Sequence, residues 1–239
     1  MTSKFVYKWL PVVATLVGVI LFAKLGMWQL DRAAEKTLMK EAYDIRTALP
    51  VINVAADLLS INQDEYRYAV VEGFYEFDKQ ILIDNKIING RGGLDVITPI
   101  KIIGTDRRLL INRGWTPWSL DRTIFREFDN PKGKVVVRGL LKRPSQEYFT
   151  LSRVLPDASD QVWQNMDLAL YSELKNVEIQ PMLLLRSPDE TDEGLERILP
   201  VYTDTWIDRH KGYALQWFAF GVIALMIFGY FRFYKRGKV

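Results

Sequence analysis

His210 is the only histidine in the chain, and there is no cysteine at all. It lies in the run Arg209-His210-Lys211-Gly212-Tyr213-Ala214-Leu215-Gln216-Trp217-Phe218, which opens the second of two long apolar stretches. Residues three and four apart are neighbours on a helix surface, so His210, Tyr213 and Trp217 fall on one face. A neutral imidazole beside two large rings at the rim of a bilayer has the chemistry of an axial ligand, or a lid, for a flat apolar cofactor such as haem. The same residues also read as an interfacial histidine in an aromatic belt, where Trp and Tyr gather anyway. Local chemistry leaves both readings open.

The rest of the chain narrows the alternatives. One histidine and no cysteine cannot assemble a copper or zinc site of soft or borderline donors. Covalent c-type haem is excluded with them, since it needs Cys-x-x-Cys-His. A Ser-His-Asp triad would have to use His210, and no Gly-x-Ser-x-Gly elbow is present, so the chain does not read as an enzyme. Asn89-Gly90-Arg91-Gly92-Gly93 resembles a phosphate loop only superficially. A strand rather than a helix follows it, which makes it a hairpin turn. Asp189-Glu190-Thr191-Asp192-Glu193-Gly194 lacks EF-hand spacing and reads as a solvated loop. Asn112-Arg113-Gly114-Trp115-Thr116-Pro117-Trp118 is an unusual way to end a strand. Arg113, Trp115 and Trp118 there are either packed over the end of a barrel or exposed as a docking surface, where Trp and Arg serve as anchors.

The elements that position these residues begin with two spans. Tyr213 to Phe231 is 19 residues with Gln216 as its one strongly polar side chain, close to the ~20 that cross a bilayer. Leu10 to Ala23 is apolar or small, and Leu25-Gly26-Met27-Trp28 extends it past a Lys24 that can snorkel to the headgroups. Pro11 suits the first turn of that helix, and Trp9 and Trp28 bracket it. A cleaved signal peptide is the alternative for the first run, but no small-x-small site directly follows it. The expected layout is residues 1–9 cytoplasmic, 10–30 a transmembrane helix, 31–209 a periplasmic β-rich domain with an N-terminal helical stalk, 210–231 a second transmembrane helix, and 232–239 a cytoplasmic tail.

Charge placement orients this layout. All 29 acidic residues lie between Asp31 and Asp208, whereas Lys4, Lys8, Arg232, Lys235, Arg236 and Lys238 flank the outer ends of the spans. The positive-inside bias puts both termini in the cytoplasm. The intervening stretch carries 24 Lys/Arg against 29 Asp/Glu, a net of −5. The overall +3 is therefore a topology signal and makes no case for nucleic acid.

Within the domain, helix formers should continue past Trp28 as a stalk until Pro50. Strands are predicted over Tyr68–Tyr75, Gln80–Asn85, Leu94–Ile103, Arg107–Arg113, Val135–Leu141 and Ile179–Leu185, with a short helix over Asp167–Leu174. Asn89-Gly90 signals a type I′ hairpin, with Gly92-Gly93 as slack after it. Pro181 places the last strand at an edge. The fold class is thus two transmembrane α-helices flanking one extracytoplasmic, mainly antiparallel β domain with short helices.

Taken together these pieces resemble the Surfeit locus 1 family of cytochrome c oxidase assembly proteins. The resemblance rests on Gly26-Met27-Trp28-Gln29-Leu30-Asp31-Arg32, on Gly73-Phe74-Tyr75, on the Gly90 to Pro99 stretch, and on Asn112-Arg113-Gly114-Trp115-x-Pro117. Trp163 with Asp167 and, most tellingly, His210-x-x-Tyr213-Ala214-x-x-Trp217-Phe218 complete it. Arg209 departs from the pattern, which commonly has asparagine before the histidine. The resemblance implies a bacterial inner-membrane assembly factor for a haem–copper terminal oxidase. It would bind haem a transiently and aid its insertion into the catalytic subunit, with haem a synthase as a further partner. It also implies His210 as the haem iron ligand, Trp28, Tyr213 and Trp217 around the macrocycle, and Arg32 near a propionate. Met27 is then a candidate second ligand. The competing reading is a membrane-anchored scaffold that binds oxidase subunits through Arg113, Trp115 and Trp118 without holding haem.

Overall fold

The computed structural model describes residues 2–119, 130–144, 156–188 and 194–234. The acidic stretch 189–193 and the basic residues Lys235, Arg236 and Lys238 lie outside them, as do the side chains of Lys4 and Lys8. The chain divides into two compact units, one of residues up to Ala42 together with those from Val201 on, the other Tyr43–Pro200.

The helical unit is built on α1 (Thr2–Thr47) and α4 (Asp204–Gly229), the latter ending in a π-helical turn over Tyr230–Tyr234. Both are long and apolar enough to cross a membrane, over Trp9–Thr47 and Asp204–Phe233. Pro11 is not in a first turn but inside α1, where it leaves one backbone carbonyl without its helical donor. The helix formers after Trp28 carry α1 on to Thr47, three residues short of Pro50. α4 starts at Asp204, so His210 sits in its second turn rather than at its start.

The helices meet along stripes spaced alternately three and four apart, the spacing that keeps one face toward a partner. Phe22, Gly26, Gln29 and Ala33 form the stripe on α1, and Ile207, His210, Ala214, Trp217 and Gly221 the stripe on α4. Gly26, Ala33, Ile207, Ala214 and Gly221 are buried.

The β unit contains β1 (Ile52–Val54), α2 (Ile61–Asp64), β2 (Tyr68–Tyr75), β3 (Ile81–Ile88), β4 (Arg91–Ile102), β5 (Arg108–Pro117), β6 (Val135–Lys142), β7 (Val162–Trp163), α3 (Leu168–Lys175) and β8 (Ile179–Arg186). The strand order is β1-β2-β6-β8-β5-β4-β3-β7, and a further β2–β4 pairing closes a ring. Closure depends on the 12-residue length of β4. One edge of β4 pairs with β5 throughout, while the other pairs with β3 near its start and with β2 at its end.

Alternate side chains from the ring strands fill its interior, including Leu109, Ile111, Met182 and Leu184. The opposite faces of β3, β4, β5 and β8 supply Ile83, Ile97, Leu110 and Leu183 to a second cluster beneath α3, with Trp163 and Tyr171. Asp167 caps α3 by accepting the Leu170 N–H at 3.0 Å.

Asn89 and Gly90 both have positive φ, 51° and 76°, as a type I′ turn requires. Gly92 and Gly93 belong to β4 instead of providing slack. Pairing is mainly antiparallel, but β5–β8, β1–β2 and β3–β7 are parallel. Contrary to the expectation from Pro181, β8 is a central strand between β5 and β6. The proline is tolerated because the β5–β8 register slips between Ile179 and Leu183, and the β6 ladder starts only at Leu183.

Candidate functional site

His210 Nδ1 lies 2.7 Å from Gln29 Oε1, across the seam between α4 and α1. With the amide oxygen as acceptor Nδ1 donates, and in the neutral ring of that tautomer Nε2 keeps the lone pair. A ring fixed this way is prepared as a ligand through Nε2, because ligating imidazoles usually donate their other N–H to an oxygen.

The surroundings are tight. A Cβ on Gly26 would come within 2.6 Å of Phe218 Cε1, so glycine is what lets that ring lie against α1. Phe22 stacks on Trp217 with centroids 6.0 Å apart and planes 22° apart, and Phe220 closes the group edge-on to Trp217 at 5.8 Å.

The predicted cofactor residues therefore divide. His210 and Trp217 face the seam, whereas Trp28 and Tyr213 are about half exposed, at 50% and 46%. Tyr213 precedes Trp217 by four residues but lies about 60° round the helix from His210, which turns it off the packed stripe. Arg32 pairs with Glu35 at 2.7 Å and sits 5.9 Å over the Trp28 ring, a separate outward cluster. Met27 is exposed, at 60%. At the seam Gly26, Ala33 and Ala214 are buried, and Phe218 lies against Gly26. The donor chemistry of His210 fits one nitrogen ligand to a haem iron. Among the described residues, no group of three or more metal-ligating side chains converges on one point.

The residue missed by sequence reasoning is Gln29. Its spacing from Phe22, Gly26 and Ala33 gave the signal, since it is the one polar group on that stripe.

In the β unit, Arg113 and Trp115 are buried, at 0% and 1% exposure, so the docking-surface expectation is corrected for both. The cause is a β-bulge. Val96 pairs with Gly114 and Ile97 with Asn112, so Arg113 is the extra residue and its side chain is re-aimed. Asn112 Oδ1 holds the bulge by accepting the Gly114 N–H at 3.0 Å. The Arg113 guanidinium lies 5.6 Å over Tyr75 and 5.4 Å over Phe77, and donates to Gln80 Oε1 at 3.3 Å and Asn130 Oδ1 at 3.2 Å. Trp115 exchanges both backbone hydrogen bonds with Glu196 at 2.7 Å, and its indole N–H donates to the Lys86 carbonyl at 3.3 Å. Trp118 is half-buried and donates to Asp84 Oδ1 at 2.9 Å.

A sequence model of the SURF1 family matches residues 16–222. Similar curated proteins include a SURF1-like protein of Rickettsia felis, 23% identical over 222 residues and covering 91% of this chain and 94% of the relative. Another, from Rickettsia prowazekii, is 25% identical over 223 residues, covering 89% and 86%. Surfeit locus protein 1 of Xenopus tropicalis is 24% identical over 232 residues, covering 89% of this chain and 71% of the relative.

Proposed function

The chain belongs to the SURF1 family, and on that premise we propose that it is an assembly factor for a haem–copper terminal oxidase of a bacterial inner membrane, holding haem a transiently for the catalytic subunit. Both termini would be cytoplasmic and the β unit periplasmic, as the charge distribution favours. Haem a synthase is the natural donor partner on this reading, and no catalytic step is assigned to the chain.

The observation that carries the proposal is the 2.7 Å contact between His210 Nδ1 and Gln29 Oε1. It orients the one histidine and reserves Nε2. Haem, when bound, would contribute an iron that this neutral nitrogen ligates. Gln29 holds the proton at Nδ1, while Trp28 and Tyr213 offer ring faces on the outward side. Arg32 offers a cation at the level of Trp28. The scaffold alternative loses its main support, because burial withdraws Arg113 and Trp115 from any docking surface.

The test uses the full chain in lipid nanodiscs titrated with haem a and followed by absorption. His210→Ala should abolish the shifted Soret band, and cells carrying it should build oxidase with less haem a. Parent-like haem binding by His210→Ala would overturn the ligand assignment. Lost binding with unchanged oxidase haem content would instead favour the scaffold.

A further inference from the structure

Lys24 is exposed and lies inside the apolar run that makes α1 long enough to cross a membrane. It is two residues from buried Gly26, which puts it about 200° round the helix, on the side away from α4. Among the described residues, no hydrogen bond or ion pair reaches its ammonium. Trp28, four residues on and half exposed, neighbours it on the same face, about 6 Å along the axis toward the outer end. Arg32, four further on, is turned to Glu35 at 2.7 Å and stands over the Trp28 ring. Asp31 is about 10 Å from Lys24 along the axis, beyond contact.

An ammonium at hydrocarbon depth is costly, and intramembrane lysines pair with an anion. The apolar stem of lysine lets its head rise toward the headgroups while the methylenes stay among acyl chains. The rest of this face decides which anion it meets. Val13, Val17, Ile20, Leu21 and Met27 lie within one arc around Lys24, and each is between 52% and 60% exposed. Helices that pack in membranes approach through small residues, and this arc has none, so it suits acyl chains rather than a partner helix. A zwitterionic headgroup already carries a cation beside its phosphate. An anionic one leaves that charge for the protein.

We propose that this face of α1 is a binding site for an anionic phospholipid, its acyl chains along Val13, Val17, Ile20 and Leu21 and its phosphate on Lys24, beside the Trp28 indole N–H. The inference rests on the membrane-spanning reading of α1 and is independent of haem at His210.

The experiment places the full chain in nanodiscs of phosphatidylglycerol and phosphatidylcholine in equal parts, and counts the lipids it retains by native mass spectrometry. The parent should keep phosphatidylglycerol about fivefold over phosphatidylcholine. Lys24→Met keeps the bulk and removes the charge, so it should lose that preference, whereas Lys24→Arg should retain it. Circular dichroism shows that the helices persist in each variant. A parent that enters the nanodiscs without preferring the anionic lipid overturns this proposal alone. Unchanged selectivity in Lys24→Met also overturns it, and leaves the lysine to an acid on a partner helix. A chain that stays out of the nanodiscs overturns the membrane-spanning reading and this proposal with it.

Discussion

Replacing Gln29 by Met should weaken haem ligation at His210 without touching the imidazole. Methionine keeps the length and bulk of the side chain at the seam but removes the oxygen 2.7 Å from Nδ1. Two effects follow: the ring loses a hydrogen bond worth about 0.5–1.5 kcal/mol, and its proton is no longer biased toward Nδ1. Outer partners of ligating histidines typically govern about 10–100-fold in affinity. Gln29 is a neutral, part-exposed acceptor, so the lower end applies, about tenfold or 1.4 kcal/mol. Gln29→Glu should bind at least as well as the parent, because a carboxylate accepts more strongly. The assay is a haem a titration in nanodiscs, with His210→Ala as the floor and circular dichroism to show that the helices persist. If Gln29→Met titrates within about twofold of the parent while His210→Ala does not bind, the contact only packs the helices and the tautomer argument fails.

Three further perturbations test the rest of the structure. Because burial raises the Asp95 carboxyl, the native state holds its proton more tightly than the unfolded chain. Stability should therefore fall as pH rises from the ordinary carboxylate range through the native value. Asp95→Asn should remove that slope and melt higher than the parent at about pH 8; superimposable melting curves across pH would refute it. Trp115→Ala should cost the β unit about 3–5 kcal/mol, seen as rapid chymotryptic cleavage, whereas half-buried Trp118 should tolerate alanine far better. Gly26→Leu drives a side chain into Phe218, whose ring would lie 2.6 Å from the new Cβ, and should cost about 1–3 kcal/mol. Phe218→Ala in the same chain should recover most of that loss in a double-mutant cycle read by thermal melting.

Much of the β unit was legible because its signals are local. The Asn89-Gly90 turn, the alternation in Tyr68–Tyr75 and the Asp167 cap each act over a few residues. What escaped was pairing between distant segments. Nothing local announces that β4 is long enough to serve three partners, or that β8 runs parallel to β5 in the centre of the sheet. Pro181 shows the limit most clearly. A proline forbids a ladder hydrogen bond at its own nitrogen, and the inference from that to an edge strand assumes a regular ladder. The register slip beside it supplies the other solution. The Arg113 bulge misleads in the same way: a strand that alternates would point Arg113 and Trp115 to the same side, and one extra residue changes which face each serves.

At the helical seam, composition found His210 but could not find its geometry. Helical spacing groups His210, Tyr213 and Trp217 within a broad arc, and only a packing partner decides which part of the arc is covered. Gly26 is the deciding residue: its missing side chain lets Phe218 close against α1, and Gln29 is the polar group opposite His210. That closure bears on the proposed role. A haem buried between helices, with ligands on both faces, would be retained. On the proposed reading, His210 would instead offer a haem a single nitrogen ligand. If the chain hands haem to a catalytic subunit as proposed, one such ligand would suit release better than two, and His210 would be the residue that binds and lets go.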